Sequence, residues 1–121
     1  MLFNQDWDKA LNNTVSTLLL KAADQLEKHG HAKHALKDYD GRMCFLGALE
    51  EVGCFAHTPD CVAASTATCK AAGISFESPG AWGSRGVIGR IVDWNNQPAR
   101  TGQEVIDAMR AAALIVAKET A

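Results

Sequence analysis

A chain of 121 residues, 47% of them apolar and 21% charged, is the size of one domain with enough nonpolar side chain to build a core, which argues against wholesale disorder. The 12 Lys and Arg are scattered among 14 Asp and Glu, a formal net charge of −2, so no cationic face is expected to grip a run of phosphates. No uninterrupted apolar run reaches about 18 residues, so no membrane span is expected.

The opening stretch from Met1 to Asp8 carries Asp6 and Asp8, no basic residue and no long apolar run, unlike a secretory signal. A cytosolic location follows as the expectation. The four cysteines are then reduced thiols, and the sequon Asn12-Asn13-Thr14 has no consequence. Phe3, Trp7, Ala10, Leu11, Val15, Leu18, Leu19, Ala22 and Leu26 form one helical stripe, with Asn4 placed to cap its start. Lys28, His29 and Gly30 close it, cations and a left-handed glycine suiting a helix C-terminus. Asn12, Asn13 and Thr14 are poor helix formers, so the stripe reads as one helix or as two broken near Asn13.

Residues 30–41 read as a connector ending in an Asp40-Gly41 turn. A helix from about Met43 to Val52 follows, burying Cys44, Phe45, Ala48, Leu49 and Val52 and exposing Glu50 and Glu51. Gly47 in its middle costs about 1 kcal/mol against alanine, which close approach by another helix would offset. Thr58-Pro59-Asp60 marks the next helix start, running to about Ala72, with Gly73 and Ile74 as a Schellman-type stop. Residues 75–86 form the one long loop, rich in Gly and Ser and holding Phe76, Trp82 and Arg85. Val87, Ile88, Ile91 and Val92 favour helix over strand, although the run is short and β-branched. Thr101 and Glu104 form a capping box ahead of Val105, Ile106, Met109, Ala112, Ala113, Val116 and Ala117. The fold expected is an all-α compact bundle of four to five helices in a single domain, residues 1–121.

The blocks Leu19-Leu20-Lys21-Ala22-Ala23 through Gly30, Gly41-Arg42-Met43-Cys44-Phe45-Leu46-Gly47-Ala48-Leu49, and Trp94-Asn95-Asn96 through Arg100-Thr101 and Glu104-Val105 carry a resemblance. Over roughly residues 15–117 the chain resembles an uncharacterised small helical domain of actinobacteria, other bacteria and their phages, a domain of unknown function. It departs from that pattern at His31, where an aromatic is frequent, and at Asn96, where an acid is usual. The resemblance implies a stand-alone cytosolic module, including a regulator that a phage can carry. It brings no activity, substrate or catalytic residue.

Several constellations bear on chemistry. Cys54, His57 and Cys61, with Cys69 or Cys44 as a fourth donor, have the residue types of a zinc site, though not its usual paired spacing. Core thiols are the plainer explanation. Cys44 opens a helix, where the dipole lowers a thiol's pKa, and with His34 or His57 as base it would suit a cysteine-dependent enzyme. No oxyanion hole is marked. His29, His31 and His34 suit a helix end and a solvated connector. As a helix-turn-helix, residues 43–72 have too long a connector, and the second helix carries only Lys70 as a cation, so no nucleic acid partner is expected.

Trp82 and Phe76, with Arg85 beside them, have the composition of an exposed binding anchor or, equally, of a lid folded on the core. Trp94, Asn95 and Asn96 read as structural: a tryptophan buried against the last helix and asparagines shaping the turn that feeds its cap, with Arg100 able to pair with Asp93. No catalytic residue and no cofactor is expected. The reading is a cytosolic helical module acting by protein–protein interaction or self-association through Phe76, Trp82 and Arg85. The alternatives are a zinc-stabilised binding module and a cysteine-dependent enzyme using Cys44 and His57.

Overall fold

The computed structural model describes residues 2–56, 58–77 and 86–119, with side chains from residue 14 onward. Five helices make up the described chain: α1 (Leu2–His29), α2 (Phe45–Glu51), α3 (Pro59–Ala72), α4 (Val87–Asn96) and α5 (Gly102–Lys118). Among the described residues no strand forms; Met43 makes isolated bridges with His31 and Lys37. The all-α expectation therefore holds. Residues 87–92 lie within a helix.

The first stripe is one helix, running through Asn12, Asn13 and Thr14 without a break. Asn4 lies inside it rather than at its cap. Val15, Leu19, Ala22 and Leu26 are buried, Leu18 partly so, and Ala23 widens the stripe. Tertiary packing decides this, because α5 runs beside α1 and buries that face against its own. Ser16 Oγ donates to the Ala113 carbonyl at 3.1 Å, and Arg110 reaches back to Asp24 and Glu27 at 3.2 and 2.9 Å. The capping box at Thr101 and Glu104 is formed in both directions. Six of the seven apolar positions expected on α5 are buried; Ala117 is exposed and Ala108 is inside instead.

α3 crosses the interior, touching α1, α4 and α5. Its Ala64, Ala67, Ser65 and Thr68 are all buried, side chains small enough to let three neighbours approach. Thr58 caps it, its hydroxyl accepting from Cys61 N–H at 3.2 Å. Gly73 ends it with φ +72, and Ile74 N–H returns to the Cys69 carbonyl at 2.8 Å, closing the Schellman loop.

α2 is shorter than expected, because Cys44 is its cap and Val52 its end. Gly47 does meet a close neighbour, but not a helix. A Cβ there would lie 1.8 Å from the Leu36 carbonyl oxygen of the connector. The Asp-Gly turn forms within that connector, Asp38 accepting from Asp40, Gly41 and Arg42 N–H groups and pairing with Arg42 at 2.7 Å.

Candidate functional site

Residues 30–44, between α1 and α2, are held in place by side chains from α4. Asn95 is buried, and its Oδ1 accepts from Phe45 N–H at 3.1 Å and from His31 Nε2 at 2.8 Å. Its Nδ2 donates to the Ala32 carbonyl at 3.2 Å and to Asn96 Oδ1 at 3.0 Å. The backbone partners settle the amide's orientation, and because Oδ1 only accepts, His31 carries a proton on Nε2. Asn96 Oδ1 also takes His34 N–H at 2.9 Å, and Lys33 Nζ reaches the Pro98 carbonyl at 2.8 Å. His34 sits at φ +62, a left-handed conformation that a non-glycine residue holds only where its surroundings impose it. The two asparagines thus anchor the connector rather than the turn ahead of α5, and His31 is part of that network rather than solvated.

The pinned connector leaves a cleft of about 500 Å³ against α2 and α4. His34, Ala35 and Leu36 form one wall, Cys44, Phe45 and Leu46 the second, Val92, Asn95 and Asn96 the third. Leu36 is 49% exposed although its backbone is fixed: its carbonyl accepts Cys44 N–H at 3.2 Å and abuts Gly47. Beyond Leu36 lies a smaller groove of about 260 Å³ with Lys37, Gly47, Glu50, Glu51 and Phe55, the last 55% exposed. Two adjoining hollows therefore share one apolar ridge. Single exposed hydrophobes are ordinary, but Leu36, Phe55 and an apolar cleft side by side are the kind of surface that receives another molecule.

Cys44 and His34, weighed as nucleophile and base, line the same cleft. Cys44 is the α2 cap, its Sγ accepting Gly47 N–H at 3.3 Å. The expected lowering of its pKa does not occur. Burial pushes the thiol up, backbone N–H groups offset this only in part, and the Glu50 charge adds to the rise. Loss of hydration outweighs the few dipoles of a helix of seven residues.

All four cysteines are buried and free. The Cys61 sulfur beside it, with burial, pushes the Cys54 thiol up and keeps it protonated. Cys69 turns elsewhere, toward the Val87 carbonyl at 3.9 Å, with burial pushing it up to about 11. Among the described residues no three His, Cys, Asp or Glu side chains group as metal ligands. His57, the remaining donor considered, lies outside the described residues, as do Trp82 and Arg85 of the long loop.

Phe76 is described, and it is partly buried against the core rather than a free anchor. Trp94 is buried as expected, and Arg100 lies over its ring, 4.4 Å from the centroid. Arg100 pairs with Glu104 at 2.8 Å and donates to Gln97 and to the Trp94 carbonyl, so its partner is the cap glutamate rather than Asp93.

Sequence reasoning missed Leu36 and the cleft beside it. Their only signal was negative: a leucine in a polar connector with no helical stripe to join. No curated protein and no solved structure matches the chain. No helix among the described residues is long and apolar enough to cross a membrane. A family model covers residues 10–114, starting a little earlier and ending a little earlier than the three sequence blocks suggest. The chain belongs to the family of unknown function DUF6197.

Proposed function

We propose that the chain is a non-enzymatic binding module of the cytosol that takes a protein partner on the surface around Leu36. One observation carries this reading: Leu36 is presented half-exposed between two hollows on backbone that is already immobilised by Cys44, Gly47 and the Asn95–Asn96 network. A preformed apolar surface saves the ordering cost that weakens most associations. The raised Cys44 pKa supports binding over thiol chemistry in the same cleft. Four buried, free cysteines support a reducing compartment.

The test compares proteins that co-purify with the full chain, with Leu36→Asp and with Leu20→Asp, a control on α1. The reading requires a stoichiometric partner lost with Leu36→Asp alone, at unchanged melting temperature. Equal recovery on all three baits, or loss with Leu20→Asp instead, refutes it.

A further inference from the structure

We infer that the occupant of the Leu36 surface is a partner segment carrying an apolar side chain for the cleft and, a few residues away, a Lys or Arg for the Glu50–Glu51 end. This rests on the binding reading above and names the chemistry of what binds. Glu50 and Glu51 are both exposed, and both border the smaller groove beside Leu36. Lys37 is the one cation lining that groove, and it approaches Glu51 at 3.7 Å. Glu50 has no ion-pair partner among the described residues. The next acids along the connector, Asp38 and Asp40, are both engaged by Arg42, at 2.7 and 3.3 Å, so their charge is largely answered within the turn.

The open charge at this end of the surface is therefore negative. An apolar cleft that adjoins, across Leu36, a groove holding an unanswered carboxylate discriminates by sign: a basic flank gains a partner, and an acidic flank meets like charge. The apolar anchor supplies affinity, and the flank supplies selectivity and encounter rate.

The experiment is a random-peptide display selection on the purified full-length chain, with enriched peptides resynthesised and titrated by fluorescence anisotropy. Leu36→Asp and the pair Glu50→Lys with Glu51→Lys are titrated alongside; Glu50→Gln with Glu51→Gln replaces the pair if circular dichroism shows it unfolded. Enriched peptides should join an aliphatic or aromatic residue to a nearby Lys or Arg. They should bind Leu36→Asp about tenfold or more weakly, as loss of an anchor implies. Charge reversal should weaken them several-fold and shift selection toward Asp and Glu.

Peptides that depend on Leu36 but bind the charge-reversed chain equally well would overturn this inference and leave the binding reading standing. Peptides indifferent to Leu36 would end both. A dimer abolished by Leu36→Asp in sedimentation would make the occupant a second copy, overturning the inference.

Discussion

Replacing Gly47 by alanine probes the contact that fixes the Leu36 surface. In isolation the change favours the helix, since alanine exceeds glycine by about 1 kcal/mol in a helix interior. Here the added Cβ would stand 1.8 Å from the Leu36 carbonyl oxygen and 2.7 Å from its carbon, both backbone atoms with no rotamer to escape into. Real Cβ contacts stay beyond 3.0 Å, so the connector must retreat by more than an ångström. That movement breaks the 3.2 Å bond from Cys44 N–H to the Leu36 carbonyl. Overpacking strain of about 1–3 kcal/mol, with about 1 kcal/mol for the lost hydrogen bond, outweighs the helix gain. The net is a destabilisation of about 1–3 kcal/mol, or a melting temperature lower by roughly 4–12 °C for a domain of this size. Urea titration and thermal melting followed by circular dichroism measure it. Gly53→Ala, where φ is +91 and no atom lies within 4 Å, is the comparison and should show only backbone strain of about 1 kcal/mol. A Gly47→Ala chain as stable as the parent would refute the contact and with it the rigid presentation of Leu36.

Asn95→Ala should cost about 2–4 kcal/mol in urea titration, because Phe45 N–H and the Ala32 carbonyl lose their buried partner; a change below about 0.5 kcal/mol would mean water replaces the amide without loss. Glu104 is held below the ordinary carboxylate range, first by Thr101 N–H, so it binds protons less readily folded than unfolded. Its stabilising effect is complete above the free glutamate value of about 4.3 and fades as pH falls through the folded value. Glu104→Gln should accordingly be less stable than the parent at neutral pH and converge with it in acid, whereas a constant gap across that window would contradict the assignment. Burial should make Cys44 react with a disulfide reagent no faster than Cys69, both following unfolding in native buffer; rapid selective labelling of Cys44 would revive the nucleophile reading.

Caps and stripes were legible without coordinates because they depend on neighbours three and four residues apart. Thr58, Gly73, Thr101 and Glu104 do locally what their chemistry demands, and the apolar periods of α1 and α5 name the faces that meet. The surface around Leu36 was not legible. It arises because Asn95 and Asn96 reach more than sixty residues back along the chain to His31, Ala32 and His34, and because Gly47 admits the Leu36 backbone. Cys44 teaches the same point: a helix start implied an activated thiol, but packing stripped away its water and pushed it the other way. Sequence alone determined the helix caps and most of the inward faces, since those follow from short-range spacing and local hydrogen bonding. Only the tertiary structure decided where apolar surface stays open and how each buried polar group titrates, because both depend on which distant atoms exclude water.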